Sequence, residues 1–368
     1  MKFGVGVIGA TGFIGTPYRD EMRECEDVQI VALCARRRDR LEAAAEKDGA
    51  SLITHDWREV VEHPDVNFVV IATPDALHYE AVMECARQGK HLLCEKPIGV
   101  NAREANEMWT AYRDSELVHY VPYWTRYVPA FVRARELVQN GTIGEVKGIV
   151  YRWHNPRPTA MPFTWRDDAE LSAAGSIADV GSHAYDAVRW IIGQNATRVL
   201  AHADVISPPK PDLGAIDLGE ALDWGNEHKV ADVSASRKGT AYDYANIIWQ
   251  FEGGAVGSIV LSHAPVFRKA LSSELEIHGT KASLGIDRIN SRITLVKNAQ
   301  DIESQESIDN PGFGNRFSKY VFPAMREQMA SGSLEHPNLE DGWRVQVFTD
   351  AAVASAKRGE WVELHDVH

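Results

Sequence analysis

Short apolar runs alternate with segments of helical periodicity along the first third of the chain. A strand–helix alternation is typical of βαβ units, in which helices cover both faces of a parallel sheet. We therefore predict a doubly wound α/β domain over residues 1–123, with its first helix starting at about Pro17. The predicted strands are Phe3–Ile8, Gln29–Cys34, Phe68–Ala72, His91–Cys94 and Leu117–Tyr120.

After Pro129 the pattern changes to a helix, a strand pair, another helix and then several long strands. Gly253 and Gly254 have the form of a hairpin turn between two of these strands. We predict an α+β domain over residues 124–368 with a large, mostly antiparallel open sheet. Two long stretches, 206–240 and 298–315, are predicted as loops that are either functional or disordered. The predicted strands are Val146–His154, Arg198–Val205, Tyr244–Phe251, Ala255–His263 and Ser273–His278.

Composition narrows the classes of partner. The chain has 368 residues and a formal net charge of -13, so it has no net positive field to attract nucleic acid or an anionic membrane. Neither partner is expected. The sequence contains no apolar run long enough for a membrane span, and its first residues lack the pattern of an export signal, which predicts a cytoplasmic protein. The four cysteines lack zinc-ligand spacing and are interpreted as reduced core thiols.

A glycine-rich turn follows the first predicted strand and precedes a helix. Glycines at such a turn leave room for a pyrophosphate, and the helix N-terminus presents free N–H groups to that anion. The spacing is GxxGxxG, so a simple tight turn is the alternative interpretation. Dinucleotide binding is the prediction that the strand and helix context favours. The residues predicted to contact the cofactor here are Gly9, Thr11, Gly12, Phe13 and Ile14.

The second strand ends in three arginines where NAD enzymes carry an acidic residue that binds the adenosine ribose. Guanidinium groups bind phosphate in a bidentate manner, so Arg36 and Arg37 favour the 2′-phosphate of NADP, with NAD as the alternative cofactor. A second interpretation is that these arginines start a solvated helix and pair with Asp39 and Glu42.

Further along the first domain, Thr73-Pro74 and His78 follow a strand end, and the strand Leu92–Cys94 runs into Glu95-Lys96-Pro97. This order of motifs resembles the family of glucose-fructose oxidoreductase, inositol dehydrogenase and MocA. The family's R-x-x-P, W-R, G-G-x-x-x-D-x-G-x-H and G-T-x-G elements have counterparts beginning at Arg126, Trp165, Ala174 and Gly279. The resemblance extends over nearly the whole chain and implies a Rossmann domain followed by a substrate-binding domain. The respaced glycine turn and the missing ribose acid depart from the family pattern.

Oxidising a secondary alcohol requires a group that takes the hydroxyl proton, and histidine is well suited because its ordinary pKa is about 6.5. Asp179 and His183 are four residues apart in a segment with helical apolar spacing, which places them on one helix face. The family resemblance implies that Lys96, Asp179 and His183 are catalytic. The alternatives are that Asp179 caps a helix after Ser176, that His183 is a core histidine, and that Lys96 is a surface residue.

The resemblance also assigns residues around this centre. Thr73, Pro74, His78 and Glu95, together with Lys96, resemble residues lining the family's cofactor cleft, and Trp165 and Arg166 resemble residues near the nicotinamide. No metal is expected, because Asp179 and His183 lack a third ligand at suitable spacing. The residues expected to face the substrate are Tyr123, Arg126, Trp153 and His154.

The predicted function is an NAD(P)-dependent oxidoreductase acting on a secondary hydroxyl or keto carbon of a sugar, glycoside or polyol. A short-chain type of reductase is one alternative, although no tyrosine has a lysine four residues later. A non-catalytic dinucleotide-binding sensor or scaffold is the other. The family resemblance implies a homodimer or homotetramer.

Overall fold

A computed structural model describes residues 2–172, 174–232, 234–269, 274–297, 302–312 and 314–367. The chain forms two compact units. Unit 1 comprises Met1–Pro122, Asp217–Glu220 and Phe313–Trp343, and unit 2 comprises Tyr123–Ile216, Ala221–Gly312 and Arg344–His368.

Unit 1 is built on a six-stranded sheet with the order β3-β2-β1-β4-β5-β6. All of its paired strands are parallel, which confirms the predicted doubly wound fold. The order reverses between β1 and β4, and ligands of such sheets bind where the strand order reverses. The strands are β1 (Phe3–Ile8), β2 (Val28–Cys34), β3 (Leu52–Thr54), β4 (Phe68–Ile71), β5 (His91–Cys94) and β6 (His119–Tyr120).

Helices follow the strands of unit 1 as the alternating pattern predicts. The central strands are buried on both faces, which is why they consist of continuous apolar runs. Phe322 stacks on Phe3 with ring centroids 4.8 Å apart and closes one side of this core. The helices are α1 (Gly15–Arg23), α2 (Arg38–Asp48), α3 (Trp57–Glu62), α4 (His78–Arg87), α5 (Ala102–Arg113) and α9 (Phe322–Ser331).

Unit 2 contains a nine-stranded sheet with the order β16-β15-β14-β13-β7-β12-β11-β8-β17. Within this sheet, β7 and β12 are the only described strands that pair in parallel, so the mostly antiparallel sheet is confirmed. The strands are β7 (Val146–His154), β8 (Ala196–Asp204), β11 (Tyr244–Phe251), β12 (Val256–Ser262), β13 (Leu275–Gly279), β14 (Ser283–Asp287), β15 (Arg292–Val296), β16 (Ile302–Ser307) and β17 (Val362–Glu363).

Helices α6 (Pro129–Gln139) and α7 (Ser182–Ile192) pack together in unit 2. Gly253 and Gly254 form the predicted turn between β11 and β12, and Gly254 has φ 82°. The stretch 206–240 was predicted as a loop, but it contains α8 (Leu218–Glu227) and the ribbon of β9 (Lys210–Pro211) and β10 (Ser236–Arg237). Helix α10 (Leu339–Arg358) is the last α-helix among the described residues. The stretch 298–315 was also predicted as a loop, but it contains β16 (Ile302–Ser307). Residues 298–301 and 313, and the predicted Ser273, lie outside the described residues.

In the part of the chain that the structure describes, no helix combines the length and the apolar character needed to cross a membrane.

Candidate active site

The glycine turn in unit 1 is packed too closely against neighbouring backbone to accept side chains at two of its positions. Gly9 has φ 85°, and a Cβ at this position would lie 2.5 Å from the Ala72 carbonyl oxygen. A Cβ on Gly15 would lie 2.2 Å from the Gly9 carbonyl oxygen. Only glycine fits either position, so the strand β1 can pass directly into α1.

The same turn offers unsatisfied donors. The backbone N–H groups of Thr11, Phe13 and Ile14 make no hydrogen bond to any residue that the structure describes. Nearby, the buried hydroxyl oxygen of Thr73 also lacks a partner among the described residues. Donors without partners at the N-terminus of a helix are suited to a phosphate group.

The three arginines after β2 differ in the ion pairs that they form. Arg36 is exposed and forms no ion pair within the described ranges. Arg37 lies 3.2 Å from both Asp39 and Glu220, whereas Arg38 pairs with Glu42 at 2.8 Å. The pairs with Asp39 and Glu42 match the alternative interpretation of the sequence, although Glu220 was not anticipated.

A further cation, Arg40, binds the segment that contains Glu220. It lies 2.7 Å from Asp217 and also pairs with Glu220. This segment belongs to unit 1 and passes close to the exposed ring of Phe13, where a Cβ on Gly219 would lie 3.6 Å from Phe13 Cδ2. The segment thus brings one carboxylate, that of Glu220, to Arg37, an arginine predicted to bind the 2′-phosphate.

The ends of β4 and β5 are held together by His78. This buried ring lies 2.8 Å from the Thr73 carbonyl and 3.0 Å from the Pro97 carbonyl, and burial lowers its pKa. The residue before the half-buried Lys96 is Glu95, whose carboxylate accepts a hydrogen bond from Tyr18. Burial raises the pKa of Glu95, opposed by this hydrogen bond. The predicted residues Thr73 and Lys96 therefore follow the ends of the neighbouring strands β4 and β5. His78 links the two strand ends through its contacts with the Thr73 and Pro97 carbonyls.

In unit 2, Asp179 lies in a π-helical turn, Ile177–Gly181, that leads into α7. Ser176 makes no capping hydrogen bond, and Asp179 is bonded through its backbone N–H to Gly175. Asp179 instead directs its carboxylate toward cations. Because the turn is π-helical, the four-residue spacing to His183 does not follow regular α-helical geometry.

The half-buried Asp179 carboxylate is surrounded by three basic side chains. Arg166 lies 2.8 Å from Oδ1, and Arg157 and His263 lie 3.1 and 3.2 Å from Oδ2. Burial lowers the pKa of His263, although the contact with Asp179 opposes this shift. Arg157 and His263 were not identified from the sequence. They lie beyond the ends of β7 and β12, which are parallel neighbours in the sheet.

His183 lies between two aromatic rings of unit 2. Its ring centroid is 6.0 Å from that of Trp153, with the planes 23° apart, and 6.1 Å from that of Tyr123, which meets it edge-on. Arg288 covers Trp153, with Cζ 4.5 Å from the ring centroid. The structure therefore brings the predicted residues Tyr123, Trp153 and His183 together.

Two other predicted substrate residues have different surroundings. Arg126 is buried and donates hydrogen bonds to both carboxylate oxygens of Asp186, at 2.8 and 2.5 Å. His154 lies 3.3 Å from the Arg268 carbonyl, and its ring centroid is 4.8 Å from that of Phe267. The first arrangement is that of a structural ion pair.

Two family models match the chain in sequence order. Residues 3–123 match the model described as an oxidoreductase family with an NAD-binding Rossmann fold, and residues 131–285 match the GFO/IDH/MocA C-terminal domain. The chain belongs to the Gfo/Idh/MocA oxidoreductase family. The resemblance inferred from the sequence motifs is thus confirmed, and this Gfo/Idh/MocA protein contains a nucleotide-binding fold of the NAD type.

Relatives of this Gfo/Idh/MocA protein include named dehydrogenases. The levoglucosan dehydrogenase of Pseudarthrobacter phenanthrenivorans is 26% identical over 347 residues, covering 88% of this chain and 86% of the relative. The myo-inositol 2-dehydrogenase of Thermotoga maritima is 24% identical over 377 residues, with 99% of each chain covered. A solved levoglucosan dehydrogenase in complex with NADH and levoglucosan has the same fold, with a TM-score of 0.81, 23% identity, and 99% of this chain and 100% of that chain covered.

Proposed function

We propose that this protein is an NAD(P)-dependent dehydrogenase that acts on a secondary hydroxyl or keto carbon of a sugar, glycoside or polyol. The observation that carries the proposal is the setting of His183, a half-buried imidazole held between Trp153 and Tyr123. Aromatic faces beside a proton-transferring group suit a sugar ring. The named activities of the levoglucosan and inositol dehydrogenases support the same class of substrate.

The proposed division of labour assigns cofactor binding to residues 1–123 and substrate binding to residues 124–368. In the first part, the free N–H groups of Thr11, Phe13 and Ile14 would hold the pyrophosphate, at the close turn that contains Gly9 and Gly12. Thr73, Pro74, His78, Glu95 and Lys96 would line the cleft, and Trp165 and Arg166 would approach the nicotinamide. When bound, the nicotinamide supplies or accepts the hydride.

NADP remains the proposed cofactor, with NAD as the alternative. Arg36 supports NADP, because it is exposed and no described carboxylate pairs with it. Arg37 would have to exchange its contact with Glu220 for the 2′-phosphate. The preference for NADP over NAD is therefore proposed to depend on how readily the ion pair between Arg37 and Glu220 dissociates.

Three side chains of this protein are proposed to act on the substrate. His183 takes the hydroxyl proton during oxidation and returns it during reduction. Lys96 donates a hydrogen bond to the substrate oxygen as negative charge develops, a contribution of about 3 kcal/mol if it acts as an oxyanion-hole donor does. Asp179, fixed by Arg157 and Arg166, orients the hydroxyl group.

A panel of sugars, glycosides, inositols and sugar acids tests the proposal, with cofactor absorbance followed for NAD and NADP in parallel. Turnover of at least one member with either dinucleotide is expected. Binding of NAD(P)H without turnover of any member would favour a sensor or scaffold. Sedimentation analysis of the purified chain tests the homodimer or homotetramer that family resemblance suggests.

A further inference from the structure

More basic than acidic side chains lie around Asp179. Arg157 and Arg166 share this single carboxylate, and their side chains are only 14% and 23% exposed. Lys269 is exposed, and no residue that the structure describes forms an ion pair with it. The nearby acidic residues do not balance this charge, because each already has its own basic partner. Glu274 pairs with Arg288 at 2.8 Å, and Asp167 pairs with Lys210 at 2.5 Å.

The excess charge is concentrated in one place. Burial lowers the pKa of Arg157, opposed by Asp179 and reinforced by the charge of Arg166. Desolvation lowers the pKa of Lys269, and the positive charges of Arg288 and Arg157 lower it further. Lys269 follows Arg268, whose carbonyl lies 3.3 Å from His154 Nδ1 at the end of β7, three residues before Arg157. Burial lowers the pKa of His263 and so disfavours its charged form, although the contact with Asp179 opposes the shift.

The two half-buried guanidiniums have donors that no described residue uses. Arg157 uses only its Nη2 group, toward Asp179, among the described residues. The Nε atom of Arg166 is buried without a hydrogen-bond partner in the described chain. A buried donor without a partner, such as Nε of Arg166, is costly, and an anion that accepts from it removes that cost.

We propose that unit 2 binds an oxyanion of the substrate, a carboxylate or a phosphate carried by the sugar or polyol, through Arg157, Arg166 and Lys269. The inference rests on the proposed dehydrogenase function and narrows its substrate class to acidic sugars. The oxyanion accepts hydrogen bonds from Arg157 and Arg166 and forms an ion pair with Lys269. The stacked rings of Trp153 and His183 belong to the same unit, and the free N–H groups that suit the dinucleotide's phosphates belong to unit 1.

The test compares matched substrates in the full-length protein: glucose, glucuronate and glucose 6-phosphate. The wild type is expected to have a higher kcat/KM for one of the two charged sugars than for glucose, and the charged sugar that is preferred identifies the anion as carboxylate or phosphate. In R157Q and K269Q, the ratio of charged to neutral kcat/KM is expected to fall by about tenfold or more, the usual effect of losing a hydrogen bond to a charged group. R292Q is the control, because Arg292 lies on β15, three strands from β7.

Isothermal titration with glucuronate and with inorganic phosphate provides a readout that does not require turnover. Binding by the wild type and loss of binding in K269Q, a variant of an exposed residue, are expected.

The inference would be overturned, and the dehydrogenase function kept, if the wild type turns over glucose with the same efficiency as the charged sugars and the ratio of charged to neutral kcat/KM is unchanged in both variants. If R157Q weakens NADH binding as much as it weakens glucuronate binding, the cations serve the dinucleotide and the inference is wrong. If no sugar is turned over, the proposed function fails, and the titrations alone decide whether the oxyanion site exists.

Discussion

The imidazole of His183 lies almost parallel to the indole of Trp153, with ring centroids 6.0 Å and planes 23° apart. The indole fixes the orientation of the ring that we propose as the acid and base. W153L is expected to lower kcat by about tenfold through lost positioning, while leaving the Kd for NADH unchanged. W153F retains an aromatic face and serves as the matched control. Equal kcat values in W153L and the wild type would remove the positioning role of Trp153.

The buried pair of Arg126 and Asp186 contributes to stability. R126M leaves the Asp186 carboxylate buried without its bidentate partner, which typically lowers the free energy of unfolding by about 3–5 kcal/mol. Urea denaturation measures the change. The double variant R126M/D186L also removes the buried carboxylate and is expected to recover most of the loss. A loss below about 1 kcal/mol in R126M would contradict this account.

Stability is expected to depend on pH through His119. Burial, together with the charge of His336, lowers the pKa of His119 from 6.5 to about 4. Its Nδ1 atom accepts a hydrogen bond from the Leu339 N–H at 3.2 Å, and protonation would break this bond. The unfolded chain binds a proton more readily than the folded one in this pH range, so stability falls as the pH falls from about 6.5 towards 4.

The variant H119Q isolates this contribution because glutamine can keep the acceptor without taking up a proton. Between pH 7 and pH 5, the wild type is expected to lose up to about 2 kcal/mol more unfolding free energy than H119Q. Calorimetric melting at both pH values provides the measurement. Parallel losses in the two proteins would show that His119 is not the titrating group.

The arginines after β2 allow a test of cofactor preference. R36A/R37A is expected to weaken NADPH binding far more than NADH binding, because only NADPH carries the 2′-phosphate. In contrast, E220Q releases Arg37 and Arg40 from a shared carboxylate and is expected to improve NADPH binding by about threefold to fivefold, the range of an exposed ion pair. E42Q, which affects only the exposed pair with Arg38, is the control. Equal effects on both dinucleotides, measured by fluorescence titration, would favour the solvated-helix interpretation.

The sequence predicted the elements whose signals are local. Strands such as Phe3–Ile8 and Val146–His154 are long apolar or alternating runs, and their bounds match the structure. The three-residue strand Leu52–Thr54 was missed because it is too short to show a period. Helix α8 was also missed, although Asp217 and Glu220 cap its start reciprocally, a D-x-x-E signal that was present in the sequence.

Residues of the candidate site could be predicted where they belong to one motif of the sequence. They could not be predicted where the fold brings together loops that are distant in the sequence. Asp179 and His183 were identified because they share one segment of the family pattern. Arg157 and His263 are separated by 106 positions in the sequence but are joined by a 3.0 Å hydrogen bond from the Arg157 N–H to the His263 carbonyl. That contact depends on the parallel pairing of β7 with β12, which no local pattern reveals.

The most direct test of the account is the turnover of H183A with the best substrate from the panel, measured alongside its Kd for the cofactor. We expect kcat to fall by at least about a hundredfold, the usual contribution of a general acid and base, while the Kd for the dinucleotide remains within about twofold of the wild type. Turnover close to that of the wild type would contradict the assignment of His183 as the proton-transferring residue and, with it, the proposed chemistry.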